Sequence, residues 1–259
     1  MVFRMDHNVN FFATCMGSTA LQDSVISSIK LMQMYGAKII FKKKQTCCGQ
    51  PAFNSGYMKE AKEVAFYNMA LFGDNNYPIV IPAGSCAGMM SHDYKLLFKD
   101  DSQEVRDSVE RFASRIYDES EYLDQVLQAK FEDKGQPIKV TFHVSCHSLR
   151  VQECIPTQKS LIRQLQNVTL VDIPYEEECC GFGGTFSIKE PEISNAIVSE
   201  KIKHIQETGC KVVLAGDNGC ILNISGALAR KGITDIKVMN IYDFILKRVT
   251  GEELSLIHI

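Results

Sequence analysis

The sequence predicts an α/β protein made of two pseudo-repeated Rossmann-like β-α-β halves with mainly parallel sheets, joined by a helical connector. Three observations carry this expectation. Short β-rich runs alternate with amphipathic stretches along the 259 residues. The order of these elements is the same in both halves. Each half also carries one cysteine pattern: Cys15, Cys47-Cys48-Gly49 and Cys86 in the first, then Cys146, Cys179-Cys180-Gly181 and Cys220 in the second.

In the first half, residues 8–14 (NVNFFAT) read as a strand that ends at Cys15. Leu21, Val25, Ile29 and Met32 have helical spacing, and Gly36 stops that helix. Residues 37–41 (AKIIF) form a second strand leading towards Cys47. A helix over residues 57–72 is stopped by Gly73. Residues 77–81 (YPIVI) form a third strand shortly before Cys86, and a helix over 87–98 follows.

The second half repeats the order. Strand 138–144 runs into Cys146, and a helix covers 157–165. Strand 168–173 precedes Cys179, and helix 192–207 ends before Gly209. Strand 211–215 precedes Cys220, and strand 236–241 with helix 242–249 completes the series. Residues 101–136 are acidic and helical in character and read as the connector, with Gly135-Gln136-Pro137 as the boundary. The expected division is therefore a first cysteine half over 1–100, the connector over 101–136, and a second half over 137–250. The tail, 251–259, belongs to no periodic element and is expected to be disordered or foreign to the working protein.

Composition narrows the function. Hydrophobic residues make up 45% of the chain, enough for a core, and the net charge of −3 gives no electrostatic case for nucleic acid. Lys42-Lys43-Lys44 reads as a solvated strand end. No apolar run approaches a membrane span, and Asp6 and His7 interrupt any leader-like stretch, so the expected location is the cytoplasm. In a reducing compartment, ten cysteines argue for metal or catalysis over a disulfide framework.

Every repeated cysteine follows a strand. The carboxyl ends of parallel strands share one edge, where ligands bind, so three distant segments can deliver thiolates to one point. A single zinc ion favours short Cys-x₂₋₄-Cys hooks, and neighbouring cysteines point in different directions. A cluster several ångströms across accepts both, and iron–sulfur clusters take four thiolates. Gly49, Gly181, Gly183 and Gly184 let backbone approach such a cluster and aim N–H groups at sulfur. Two alternatives stay open at this point: zinc held structurally, and a metal-free thiol–disulfide enzyme using the vicinal pairs. Cys154 and Cys210 have no counterpart in the other half and read as packing residues. His143 and His147 flank Cys146 and read as surface residues or neighbours of a ligand. The run Gly181-x-Gly183-Gly184 lacks the lysine and spacing of a phosphate loop.

The segments CCGQPAFNSGY (47–57), GSC (84–86), SCH (145–147), CCGFGGTFS (179–187) and GCILNI (219–224) resemble the cysteine-rich CCG-domain family. That family includes the cysteine-rich subunit of heterodisulfide reductase and the iron–sulfur subunits of glycolate oxidase and anaerobic glycerol-3-phosphate dehydrogenase. The resemblance covers nearly the whole chain and is nearest to the family's lactate-utilization branch. It implies an iron–sulfur protein acting in oxidation of L-lactate to pyruvate with two partner proteins, one of them a ferredoxin-type iron–sulfur protein. The fuller family motif ends in Cys-x-x-Cys, but Ala83 and Asp217 stand at the first of those positions here. The resemblance therefore implies ordinary 4Fe-4S clusters, up to two, in place of the unusual non-cubane cluster of the reductase. Zinc in one half is the variant found in some members. The expected ligands are Cys15, Cys47, Cys48 and Cys86 for one centre and Cys146, Cys179, Cys180 and Cys220 for the other. No general base for lactate is assigned.

Overall fold

A computed structural model describes residues 7–254. The chain divides into two compact units, Met1–Ala129 and Lys130–Ile259.

The first unit runs β1 (His7–Phe11), α1 (Cys15–Thr19), α2 (Gln22–Met34), β2 (Ala37–Phe41), α3 (Gln50–Asn54), α4 (Met58–Leu71) and β3 (Ile79–Ile81). It continues through α5 (Gly84–Gly88), a π turn at Met89–Asp93, α6 (Tyr94–Leu97), α7 (Gln103–Ala113), β4 (Ile116–Asp118), α8 (Glu119–Glu121) and a second π turn at Tyr122–Val126. The sheet is all parallel, in the order β2-β1-β3-β4. Neighbouring residues at the end of β1 face opposite ways, as a pleated strand requires. Phe11 packs with Ala13 and Val25, against Ile29 of α2. Phe12 joins the larger cluster of Ile79, Ile81, Ala61, Ala65, Tyr94 and Phe98. Helices thus cover both faces of the sheet, and burying each Phe contributes about 1.5–3 kcal/mol.

The second unit runs β5 (Ile138–His143), α9 (Cys146–Arg150), α10 (Ile155–Arg163), β6 (Val168–Val171), α11 (Phe186–Lys189), α12 (Pro191–Glu207), β7 (Val212–Ala215), α13 (Asn218–Arg230), β8 (Lys237–Asn240) and α14 (Ile241–Thr250). Its parallel sheet has the order β6-β5-β7-β8, the same permutation as the first. The segment entering this unit is clamped to α14. Arg248 donates to both carboxylate oxygens of Asp133, at 2.7 and 2.8 Å, and to the Gln136 carbonyl at 2.8 Å. A side chain at Gly135 would strike the Arg248 guanidinium, with its Cβ 2.1 Å from Cζ.

The structure departs from the sequence expectation in several places, among them the expected helix 87–98, which is broken by the π turn at Met89–Asp93, and the added short helices α1, α3, α9 and α11. Residues 101–136 are not a separate helical connector: α7 leads into β4, which extends the first sheet beside β3. Ile116-Tyr117-Asp118 is too short to show an alternating pattern among charged helical residues. The boundary between units lies at Ala129–Lys130, ahead of Gly135. Helix α13 is an addition to the expected elements, because its first turn is also the Cys220 segment. Of the tail, residues 255–259 lie outside the described residues.

Candidate metal centres

Strand topology gathers the cysteines. Cys15 follows β1 and opens α1, Cys47 and Cys48 follow β2, and Cys86 lies in the first turn of the helix after β3. Cys146, Cys179-Cys180 and Cys220 follow β5, β6 and β7 in the same way. The strand order sets β1 between β2 and β3, and β5 between β6 and β7, so all three segments of each quartet converge on one edge.

Thiols lie against one another in both units. In the first, Cys15 donates to Cys47 at 3.8 Å, and Cys48 links Cys47 to Cys86. In the second, Cys146 pairs with Cys179, Cys179 with Cys180, and Cys180 donates to Cys220 at 3.1 Å. Cys154 and Cys210 are buried; Cys154 accepts from Gln158, and Cys210 precedes β7, at the opposite end of that strand from Cys220.

Electrostatics single out the leading cysteine of each vicinal pair. Donation from Cys15 and Cys48 holds Cys47 down at about 3 despite burial, helped by the Gly49 and Cys48 N–H groups. Donation from Cys146 and Cys180, with the Gly181 N–H, holds Cys179 at about 2. Their partners move the other way. Cys15 and Cys146 are pushed up by those same bonds and by burial, and so are Cys48 and Cys180. Cys220 accepts from Cys180, but burial and the Asp217 carboxylate push it up overall. The hydrogen bonds thus favour the thiolate form at the leading cysteine of each pair, and metal binding favours deprotonated thiols in general.

Backbone and side-chain donors fix the vicinal segments. The Gly49 N–H reaches the Cys47 sulfur at 3.5 Å, and the Gly181 N–H reaches Cys179 at 3.3 Å. Both glycines sit at positive φ, +93° and +81°. Asn68 donates to the Cys47 carbonyl at 2.9 Å, Tyr94 to the Cys48 carbonyl at 2.8 Å, and Asn223 to the Cys180 carbonyl at 2.7 Å. Ala83 and Asp217 bring no sulfur; Asp217 instead caps α13 through the Gly219 N–H at 3.1 Å.

Two further residues, His143 and Lys201, lie near the second quartet. His143 is fully buried, which corrects a surface reading, and among the described residues neither ring nitrogen has a hydrogen-bond partner. One of its nitrogens and the sulfurs of Cys180 and Cys220 all lie within 4.8 Å of one another. Burial, then the Lys201 charge, push the His143 imidazole below its ordinary range. Lys201 is itself buried on α12, donates to the carbonyls of Tyr175 and Glu176 at 3.2 and 3.3 Å, and sets a positive charge near Cys179 and Cys180. His147 lies beside Cys146, its Nδ1 3.7 Å from the sulfur. A cavity of about 470 Å³, lined by Arg150, Tyr175, Glu176, Glu177, Glu178 and Cys179, opens on this quartet.

Two soft-donor pockets built by repeated halves match a known pattern. A family model described as the cysteine-rich domain, CCG, fits residues 9–91 and again 140–225. The chain belongs to the CCG cysteine-rich domain family. Curated relatives in this family are named lactate utilization protein A. The one from Halalkalibacterium halodurans is 37% identical over 237 residues, covering 92% of this chain and 96% of that protein. Those from Shouchella clausii and Geobacillus kaustophilus are each 39% identical, over 229 and 242 residues, covering 88% and 93% of this chain and 94% and 99% of theirs. A crystal structure of a hypothetical protein from Helicobacter pylori shares the fold, with a TM-score of 0.63 at 11% identity; the match covers 96% of this chain and 50% of that one. Among the described residues, no helix of this CCG-family chain is long and apolar enough to cross a membrane.

Proposed function

We propose that the protein is a cytoplasmic iron–sulfur electron-transfer subunit of a system that oxidises L-lactate to pyruvate, with one cluster site per unit. Cys15, Cys47, Cys48 and Cys86 hold the first centre, and Cys146, Cys179, Cys180 and Cys220 the second. The observation that carries this reading is the four-sulfur contact chain, built twice by the same strand topology. Four soft thiolates are the usual donor set of a 4Fe-4S cluster, whereas adjacent cysteines suit a single tetrahedral ion poorly.

When bound, such a cluster supplies one-electron redox chemistry. The chain's own residues supply the setting. Gly49 and Gly181 aim N–H groups at the leading sulfurs, which favours their anionic form. Phe12 belongs to the same buried apolar cluster as Cys48 and Cys86. Lys201 offsets negative charge around the second.

The lactate assignment draws on the relatives, which are named for lactate utilization. Oxidation of L-lactate to pyruvate releases two electrons and two protons, and two one-electron centres match that electron count. The reading includes two partner proteins, one of them of ferredoxin type, and leaves the proton-abstracting base to a partner or an interface.

The test uses the full chain purified without oxygen and combined with its partner proteins. L-lactate is expected to bleach the brown absorption, and Cys47→Ser or Cys179→Ser to abolish the response. A colourless protein holding about one zinc per unit would replace this reading with a structural metal protein. A metal-free protein with a reversible dithiol couple would replace it with a thiol–disulfide enzyme.

A further inference from the structure

The two pockets differ at one inward position. Phe12 stands three residues before Cys15, one residue past β1, and packs in the cluster that contains Cys48 and Cys86. His143 stands three residues before Cys146, as the last residue of β5, beside Cys180 and Cys220. Register agrees: His143 pairs with Ala215 at the end of β7, and the N–H of Phe12 bonds to Val80 of β3. The same site in the fold thus carries an apolar phenyl ring in one unit and an imidazole in the other.

A buried imidazole with both nitrogens unpartnered is costly, since each unpaired polar group forfeits its hydration. A neighbour that uses a nitrogen lone pair removes much of that cost. Nothing else among the described residues does so for His143, and the nearest compact donor group is Cys180 with Cys220. An imidazole nitrogen and two sulfurs within 4.8 Å of one another form a recognised mixed donor set for iron and zinc.

We propose that a ring nitrogen of His143 is a direct ligand of the metal centre in the second unit, so that the protein holds two chemically unequal centres. The first is bound by thiolates alone, with Phe12 as its apolar wall. The second would be held by its thiolates together with the His143 imidazole. This inference rests on the metal-binding reading above.

The experiment is pulsed electron paramagnetic resonance on the full chain, reconstituted with iron and sulfide and reduced, prepared with natural and with ¹⁵N-labelled histidine. The expected result is a nitrogen coupling that changes with the label and disappears in His143→Phe, while the signal of the first centre persists. A second-unit cluster that forms without histidine coupling, or a coupling that survives His143→Phe, overturns the proposal. Should His143→Phe fail to fold, the labelled unsubstituted chain decides the matter. If the chain takes up zinc in place of iron, the iron–sulfur reading falls, and X-ray absorption at the zinc edge tests His143 separately. Imidazole scattering there supports the ligand, and sulfur-only scattering overturns it. A chain that takes up neither metal overturns both.

Discussion

The backbone N–H of Gly181 donates to the sulfur of Cys179 at 3.3 Å, from a residue at φ +81° whose added Cβ would lie 2.7 Å from the Ser194 carbonyl oxygen. Ser194 in turn donates its hydroxyl to the Gly181 carbonyl at 2.8 Å. Both the positive φ and the close approach demand glycine. Gly181→Ala is expected to destabilise the second unit by about 1–3 kcal/mol from backbone strain, with further loss from the clash, and to lower metal uptake there. Gly49→Ala carries the φ penalty, but its nearest neighbour is the Val64 side chain at 3.4 Å, so its effect is expected to be the smaller. Denaturant titration and metal analysis of the two variants rank them.

Tyr94 supports the first vicinal pair from α6. Its hydroxyl donates to the Cys48 carbonyl at 2.8 Å and accepts from Asn68 at 3.3 Å. Tyr94→Phe leaves that carbonyl short of a donor in a buried place and is expected to cost about 1–3 kcal/mol. Equilibrium unfolding measures it, and a change below a few tenths of a kcal/mol would contradict this role.

Asp133 and Arg248 form a buried ion pair, with side-chain exposures of 0% and 3%. Burial opposes ionisation of Asp133, but Arg248 and the Asn167 and Gly135 N–H groups hold its carboxyl below the usual range. A depressed folded-state pKa stabilises the protein above the ordinary carboxylate pKa, and that contribution is lost as pH falls through the folded value. Arg248→Ala is expected to cost about 3–5 kcal/mol at neutral pH. The stability gap between the parent chain and Asp133→Asn is expected to shrink on acidification, which urea midpoints across a pH series report.

Glu119 behaves in the opposite sense. Burial, with the Asp118 charge beside it, pushes its carboxyl well above the normal range. A raised folded-state pKa favours folding at low pH, and that advantage drains away as pH rises from the ordinary carboxylate value through the folded one. Glu119→Gln is therefore expected to gain stability over the parent at pH 8 and to lose that gain near pH 4. Thermal unfolding at the two pH values checks the sign.

Much of this architecture is legible in the sequence. Seven of the eight strands among the described residues stand out as β-rich runs bounded by glycine or a polar turn, and placing each cysteine after a strand brings distant thiols to one edge. Strand β4 escapes notice because three residues cannot display a period, and its neighbours are charged and helical. Asn68, Tyr94 and Asn223 sit inside helices, where nothing local marks a side chain that reaches back to a cysteine carbonyl. Lys201 looks like an ordinary helix-surface lysine until α12 packs it inward. His143 has a readable signal: aligning VNFFATC with VTFHVSC sets it opposite Phe12, a substitution that packing alone does not favour.

Iron and acid-labile sulfide content of the protein prepared without oxygen, with Cys47→Ser and Cys179→Ser alongside, tests the central claim most directly. The expected result is about four iron and four sulfide per unit in the parent chain, with each serine variant losing the content of its own unit and keeping the other's. Cys154→Ser and Cys210→Ser are expected to retain both. A parent chain without iron and sulfide, or a Cys47→Ser variant that keeps its full complement, would contradict the account.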